Sequence, residues 1–213
     1  MSQPLRRLAA TDTTLLPAWK PAGSRGRILE TALRLFAERG YAGTSIRDIA
    51  KASGVKPATL YSHYPSKEHV LAELCRIGHE EHLRGVRAAL LESQPDPRQQ
   101  IAAYVRAHVH LHAAYSMLAV VANAELHMLG PLLGGATFEL RKQAEQTLLD
   151  IIRRGTAAGA FHVDNDWLAA AAIGGMGLRV AFWFAPEQGL SEEEVVRNYT
   201  QFALRLLGAA GKS

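Results

Sequence analysis

The sequence predicts an all-α protein of about nine helices, in which a small N-terminal three-helix bundle precedes a larger C-terminal helical part. Apolar residues recur every three to four positions over long stretches, as on one face of a helix. Gly, Pro and Ser residues interrupt these stretches where helices would begin or end. No stretch alternates as a strand does, and no internal repeat is present. The chain of 213 residues, 48% of them hydrophobic, is long enough to bury a core.

The first helix is predicted from about Arg25 to Arg39, with Gly40 at its end. With the next two helices it would make a bundle too small to bury much surface by itself. A long fourth helix, from Ser66 to about Leu91, is expected to brace that bundle and to link it to the rest of the chain. The clearest break follows at residues 93–97, where Pro, Asp and Ser cluster.

The second and third helices are short and carry distinct end signals. Ser45 and Asp48 have the spacing of a capping box, in which each side chain bonds the backbone N–H of the other residue. Gly54 suits a sharp turn with positive φ. Pro57 then falls in the first turn of the third helix, where its missing N–H costs nothing.

The C-terminal part continues as a series of helical patterns. Gly-Pro at 130–131, Gly159 and residues 186–189 separate them. Ser191 and Glu194 form a second capping box at the start of the last helix. The predicted helices span about residues 98–112, 115–128, 131–156, 166–184 and 191–207.

Residues 44–71 have the layout of a helix-turn-helix, which lays its second helix in the DNA major groove. Leu60 is expected to face inward. The outer surface of the third helix would then be polar and aromatic, formed by Thr59, Tyr61, Ser62, His63 and Tyr64. The alternative is a helical hairpin within an ordinary core, which would not need to expose three aromatic rings just before Lys67.

The run from Ile28 to Leu74 resembles the DNA-binding domain of the TetR family of transcriptional regulators. The matching segments read ILETALRLFAERGYAGTSIRDIAKASGV and ATLYSHYPSKEHVLAEL. The departures are mild: Ser53 stands where Ala is common, Tyr64 replaces a common Phe, and Pro65 and His69 are less usual. The resemblance implies a homodimer that binds a palindromic double-stranded operator, most often as a repressor.

The resemblance also implies which side chains contact DNA. Arg47 is the best candidate for a base contact, because Arg can bridge guanine O6 and N7. Tyr61, His63 and Lys67 are expected to contact phosphates. The implied DNA-binding set is Thr44, Ser45, Arg47, Lys56, Pro57, Ala58, Thr59, Tyr61, His63, Tyr64 and Lys67.

Charge is distributed as DNA binding requires. Residues 1–70 hold eleven Lys and Arg against five Asp and Glu, whereas residues 71–213 hold thirteen against fifteen. A merely solvated basic terminus would also show this balance, but it would not produce the helix-turn-helix pattern. Residues 1–23 lack periodicity and are expected to form a disordered arm, whose Arg6 and Arg7 are either DNA contacts or part of an unstructured leader.

The predicted domains are therefore an arm at 1–23, a DNA-binding domain at 24–70 and a ligand-binding and dimerisation domain at 71–213. The last two helices have long apolar faces with small residues such as Gly174 and Gly177, which suits pairing with a second copy. Burial of both helices within one subunit is the alternative.

A small-molecule effector is the second expected partner. Large apolar groups with a few polar side chains suit a ligand pocket. The candidates are Tyr104, His108, Met117, Val121, Glu125, Phe138, Arg141, Met176, Arg179 and Trp183. The segment LRVAFWFAPEQGLSEEEVVRNY resembles actinobacterial-type TetR regulators of lipid and sterol breakdown, some of which respond to acyl-CoA thioesters. The resemblance implies a hydrophobic or acyl-type effector, with Arg141 and Arg179 available for an anionic group.

Other functions fit the sequence less well. The sets Cys75, His79, His82 and His108, His112 have helical spacings that could ligate a metal, and a metal-responsive regulator is one alternative. A small helical enzyme is a remote second, since no nucleophile elbow, P-loop or dinucleotide fingerprint is present, and no cofactor or resident metal is expected. A constitutive DNA-binding architectural protein would not need so large an apolar C-terminal part.

The sequence predicts a cytoplasmic location. A single cysteine, Cys75, forbids an intrachain disulfide, which fits a reducing cytoplasm. The N-terminus lacks the apolar stretch of a signal peptide. The most apolar window, residues 167–184, contains Arg179 and several glycines, so no membrane span or membrane partner is expected.

Overall fold

A computed structural model describes residues 21–185 and 189–209, and these contain nine α-helices, a short 3₁₀ helix and no strand. The all-α prediction is therefore confirmed. The helices are α1 Gly23–Arg39, α2 Ile46–Ala52, α3 Pro57–His63, α4 Lys67–Glu92, α5 Pro97–Ala114, α6 Ser116–Ala124, α7 Pro131–Ala157, α8 Asp166–Trp183 and α9 Glu192–Leu206. The 3₁₀ helix Leu126–Met128 lies between α6 and α7. None of the helices in the described ranges is both long and apolar enough to cross a membrane.

The helix ends lie close to the positions that local signals predict. Both capping boxes are present, at Ser45 with Asp48 and at Ser191 with Glu194. Gly54 has a φ of 66°, and Pro57 is the first residue of α3. The helix predicted over residues 115–128 is shorter than expected, since α6 ends at Ala124 and the chain continues as the 3₁₀ helix.

The chain divides into two compact units. In the described part, the first unit comprises residues 21–80, 115–138 and 181–183, and the second comprises residues 81–114, 139–180, 184–185 and 189–209. This division differs from the predicted domains 24–70 and 71–213, because α6 and the start of α7 belong to the same unit as α1–α3. Residues 1–20, with Arg6 and Arg7, lie outside the described residues.

The first unit is organised around one hydrophobic cluster. Helix α1 packs against α2, α3 and α6. In this cluster the apolar stripe of α1 meets Ile49 and Ala50 of α2, Leu60 of α3, the start of α4 and α6. Its members include Ile28, Leu29, Leu33, Phe36, Ile49, Leu60, Leu71, Leu74, Leu118 and Val121.

The second unit contains the end of α4, with α5, most of α7 and α8, and α9. Helix α5 packs against α9. The backbone N–H of His162 donates to the carbonyl oxygen of Leu207 at 2.8 Å, which joins the α7–α8 connection to the end of α9. The buried apolar residues of this unit include Ile101, Val105, Val109, Leu148, Ile151, Ile152, Phe161 and Ile173.

Candidate DNA-binding surface and ligand cavity

The start of α2 is held by its capping box. The Asp48 backbone N–H donates to Ser45 Oγ at 3.1 Å, and the Asp48 carboxylate accepts from the Ser45 backbone N–H at 2.9 Å. The Ser45 hydroxyl also donates to Asp48 Oδ2 at 2.5 Å, and this bond, together with the one from the Ser45 backbone N–H, lowers the pKa of the Asp48 carboxyl below its ordinary value. Arg47 lies beside this cap with its side chain exposed. The cap therefore fixes the first turn of the helix that presents Arg47.

The turn after α2 leads directly into α3. Ser53 caps the C-terminal end of α2, and its Oγ donates to the Ile49 carbonyl oxygen at 2.7 Å. Gly54 then takes the left-handed conformation that few other residues adopt without strain. Lys56 precedes the first residue of α3, and Leu60 is the buried anchor of that helix. Two of the predicted DNA-contact residues, Thr59 and Lys67, are half-buried, and seven are exposed. The exposed ones are Ser45, Arg47, Lys56, Pro57, Ala58, Tyr61 and His63.

Tyr64 does not lie on the outer surface, which corrects the expectation from the sequence. It is 3% exposed, and its hydroxyl donates to Glu73 Oε2 at 2.7 Å and accepts from Arg25 Nε at 3.2 Å. Burial raises the pKa of this hydroxyl. The physical reason is helical phase, because Tyr64 follows the buried Leu60 by four residues and shares its side. The spacing was available in the sequence.

Thr44 is also turned inward rather than toward solvent. Its side chain is buried, and Oγ1 donates to the carbonyl oxygens of Gly40 at 3.0 Å and Leu35 at 3.3 Å. The hydroxyl thus closes the end of α1. The Thr44 hydroxyl could donate to DNA, as predicted, only if these two hydrogen bonds were broken.

Lys67 is half-buried at the first position of α4 and is bonded within the first unit. Its ammonium group donates to the carbonyl oxygens of Tyr41 and Thr44, each at 2.8 Å. The same group lies 4.0 Å from the centre of the Tyr41 ring, within cation–π distance. Lys67 therefore ties the start of α4 to the turn between α1 and α2.

A cavity of about 330 Å³ lies within the second unit, between side chains of α5, α7 and α8. Only two of the predicted ligand residues, Tyr104 and Arg141, line it. Arg141 Nε donates to Glu145 Oε1 at 2.9 Å. The complete lining is Tyr104, Arg141, Lys142, Glu145, Gln146, Leu148, Leu149, Trp167, Ala170, Ala171, Gly174, Gly175 and Leu178.

The remaining candidates lie elsewhere, so the structure does not bring the predicted set together. Met117 and Val121 pack with the core of the first unit. Glu125 accepts a hydrogen bond from the Tyr41 backbone N–H at 3.2 Å in that unit, where Phe138 also lies, 41% exposed. Three candidates on α8, Met176, Arg179 and Trp183, are not part of the cavity lining.

Helical phase explains the difference on α8. Residues 167, 171, 174 and 178 recur every three to four positions and line the cavity. Residues 176, 179 and 183 share the same period but a different side of the helix. The sequence reveals both stripes, but it does not reveal which of them faces the cavity. Lys142, the second cation of the lining, was missed although it directly follows Arg141.

His108 is buried behind the cavity wall rather than in it. Its Nε2 donates to the carbonyl oxygen of Gly174, a lining residue, at 3.0 Å. Burial lowers the pKa of His108, so its ring is neutral and Nδ1 accepts from His82 Nε2 at 2.8 Å. His112 Nδ1 donates to the His108 carbonyl oxygen at 2.7 Å. These histidines thus hold α4, α5 and α8 together by hydrogen bonds.

The two spacings that suggested metal ligands do not form a metal site in the described ranges. No group of three or more His, Cys, Asp or Glu residues there is arranged to hold a metal ion. Cys75 is buried, and burial raises its thiol pKa to about 12. His79 Nε2 lies 3.3 Å from the Ala122 carbonyl oxygen. The metal-responsive alternative therefore has no support.

Profiles of known protein families match both the N-terminal and the C-terminal part of the chain. A profile described as bacterial regulatory proteins, tetR family, matches residues 28–74. A profile described as a tetracyclin repressor-like C-terminal domain matches residues 94–207, more than half of the chain. Among curated relatives, the HTH-type transcriptional repressor KstR2 of Rhodococcus jostii is 28% identical over 185 residues, which are 86% of this chain and 90% of that protein.

Solved structures show the same similarity. A crystal structure of a regulatory protein in the tetR family from Rhodococcus RHA1 is 30% identical, with a TM-score of 0.82, and the match covers 90% of this chain and 100% of the other. The structure of the ketosteroid transcriptional regulator KstR2 of Mycobacterium tuberculosis is 25% identical, with a TM-score of 0.79, and covers 90% of this chain and 97% of the other.

Proposed function

The chain belongs to the TetR family of transcriptional regulators, and from this premise we propose that it is a ligand-responsive repressor that binds a palindromic operator as a homodimer. The proposed parts are an N-terminal arm at residues 1–23, a DNA-binding domain at 24–70 and a ligand-binding and dimerisation domain at 71–213. Because it would bind operator DNA, the protein would act in the cytoplasm.

The exposed, basic start of α2 and α3 is the observation that supports DNA binding most directly. Arg47 is exposed beside the α2 cap, Lys56 is exposed after the tight glycine turn, and Tyr61 is 50% exposed on α3. A helix presented in this way can enter a major groove, with Arg47 positioned to read a base and Tyr61 and His63 to contact phosphates. Ser24 Oγ lies 2.8 Å from His63 Nε2, so the end of α3 is also held against the start of α1.

Exposed apolar side chains on α8 and α9 support the dimer. Trp167 and Leu168 on α8 are 66% and 58% exposed, and Phe202 and Leu206 on α9 are 44% and 40% exposed. Leu168 and Leu206 line the same depression, so exposed leucines of the two helices lie close together. Two helices from each copy would bury these exposed apolar side chains in a four-helix interface.

The cavity of the second unit is the proposed effector site. Its volume is at the lower end of those that hold small molecules, and its lining combines leucines and Trp167 with Arg141 and Lys142. These residues suit a compact hydrophobic or acyl-type effector. A relative named as a ketosteroid regulator supports an apolar effector class. Binding would shift α4 and thereby the two recognition helices, provided that the effector prefers the state that does not bind DNA.

Selection from random DNA duplexes tests operator recognition. The purified protein should enrich one palindromic sequence, because a two-fold symmetric dimer presents two copies of α3. Failure to enrich any duplex sequence would contradict the proposed function.

Calorimetry with the selected operator tests ligand response. With octanoyl-CoA as an acyl probe, saturating operator should weaken probe binding, and the probe should weaken operator binding by the same factor, roughly 5- to 150-fold. Equal probe affinity with and without operator would contradict induction by an acyl-type effector, while operator recognition would stand on the selection experiment alone.

A further inference from the structure

The hydroxyl group of Tyr104 lies at the cavity without a hydrogen-bond partner among the described residues. Tyr104 lines the cavity from α5, and the residue is only 3% exposed. The Tyr104 hydroxyl oxygen is not among the fully buried polar atoms that lack a partner, so it reaches the space of the cavity. A ligand that offers an acceptor there would supply the hydrogen bond that the described residues do not.

Neighbouring histidine rings hold the Tyr104 ring in place. The His108 ring centre lies 5.7 Å from that of Tyr104, and the His82 ring approaches edge-on at 6.4 Å. His108 is itself fixed by hydrogen bonds to His82 and to the Gly174 carbonyl oxygen. The hydroxyl therefore points in a direction set before any ligand enters, which is the condition for selecting ligands by a hydrogen bond.

The electrostatic surroundings define what the hydroxyl can bind. Burial raises the pKa of Tyr104, and the Glu145 carboxylate raises it further, so the hydroxyl keeps its proton and can donate. That carboxylate is paired with Arg141 at 2.9 Å, so the Arg141–Glu145 pair offers an anion at the hydroxyl no net positive charge. An uncharged oxygen acceptor, such as a carbonyl group, satisfies both conditions, whereas a carboxylate does not.

We infer that the cavity selects a compact apolar molecule, or the acyl portion of a larger one, that carries an uncharged carbonyl oxygen, and that Tyr104 donates a hydrogen bond to it. The inference rests on the proposed function only in treating this cavity as the effector site. A volume of about 330 Å³ limits the enclosed portion to a small ring system or short chain. Lys142, which also lines the cavity, is available to any anionic portion of a larger molecule.

Three probes of similar size and different polarity test the inference. Acetophenone carries a carbonyl oxygen, cumene replaces that oxygen with a methyl group, and benzoate carries a charge. Equilibrium dialysis of each probe against the full-length protein without DNA gives their affinities. The matched variants are Tyr104→Phe, which removes one oxygen and keeps the ring packing, and Tyr115→Phe, which makes the same change in the first unit.

The ratio of acetophenone affinity to cumene affinity should fall about tenfold in Tyr104→Phe, and the affinity for cumene should hardly change. The ratio should be unchanged in Tyr115→Phe, and benzoate should bind the unmodified protein more weakly than acetophenone. An unchanged ratio in Tyr104→Phe, tighter binding of benzoate or no binding of any probe would overturn the inference. None of these outcomes affects operator selection, which is measured separately with no ligand.

Discussion

Single side chains at the candidate DNA surface divide into those that face solvent and those that hold the helices together. Arg47 is exposed beside the α2 cap, whereas the ammonium group of Lys67 bonds two carbonyl oxygens and lies over the Tyr41 ring. Substitution of Arg47 and substitution of Lys67 should therefore change different properties of the protein. Loss of Lys67 should affect folding, and loss of Arg47 should affect recognition.

Lys67→Ala should lower the free energy of unfolding by about 1–3 kcal/mol, because two charge-assisted hydrogen bonds and a cation–π contact are lost. Arg47→Ala should leave that free energy within about 0.5 kcal/mol and should weaken operator binding by roughly 1–3 kcal/mol. Urea unfolding and operator titration measure the two effects. Equal loss of affinity for operator and random DNA would reassign Arg47 to phosphate, and unchanged unfolding of Lys67→Ala would contradict its role as a brace.

Gly177 permits the closest approach between α8 and His108. A Cβ built at this position would lie 1.8 Å from His108 Cδ2, so no side chain fits unless the ring moves. Gly177→Ala should therefore lower the free energy of unfolding by about 1–3 kcal/mol, despite the better helix propensity of Ala.

Gly85→Ala is the matched control for Gly177→Ala, because a Cβ at that position in α4 meets nothing within 4 Å. It should be neutral or stabilising by up to about 1 kcal/mol. Chemical unfolding of both variants compares them. Similar stabilities of the two variants would show that the His108 ring moves at no cost.

Among the elements, α2 depends most clearly on one local motif. The Ser45 hydroxyl is the first cause of the lowered pKa of Asp48. A carboxyl whose pKa is lowered by folding stabilises the fold above its unfolded pKa, and that contribution is lost as the pH falls through the folded pKa. The α2 cap should therefore weaken in acid, below about pH 4.

Ser45→Ala should raise the pKa of Asp48 toward its ordinary value, as an NMR titration of the carboxyl group would measure. Ser191→Ala is the control, because it removes the equivalent hydrogen bonds of Glu194 at the start of α9, whose pKa is also lowered. It should raise the pKa of Glu194 and leave Asp48 unchanged. If the pKa of Asp48 were the same with and without the Ser45 hydroxyl, the hydrogen bonds of the cap would not be its cause.

At the scale of the whole molecule, a substitution among the exposed apolar residues of α8 and α9 can separate the effect on dimer formation from the effect on folding. Leu206 is 40% exposed within the single chain, so a charge placed there can reach water when the protein is monomeric. The same charge buried between two copies would be unpaired and costly. Leu206→Arg should thus dissociate a dimer without unfolding the monomer.

Sedimentation equilibrium at micromolar concentration measures this effect, with Leu91→Arg as the control, since Leu91 on α4 is 87% exposed. Leu206→Arg should sediment as a monomer with helical circular dichroism retained, and Leu91→Arg should remain a dimer. A monomeric unmodified protein under these conditions would contradict the proposed assembly.

The sequence by itself determined the helices, because the signals that begin and end them are local. The capping boxes at Ser45 and Ser191, the positive φ of Gly54 and the first-turn position of Pro57 all lie where residue types and spacings of three or four positions predict them. The resemblance over residues 28–74 then identified the family, and the inward position of Tyr64 could have been predicted from its spacing to Leu60.

Only the tertiary structure decided which helical faces meet. It placed Val121 and Glu125 with the N-terminal helices rather than in a ligand pocket, and it turned the 167–178 stripe of α8, instead of Arg179 and its neighbours, toward the cavity. A helical period shows which residues share a side, but the partner of that side depends on contacts between residues far apart in the chain. The cavity lining comes from three separate helices, so no local signal could define it.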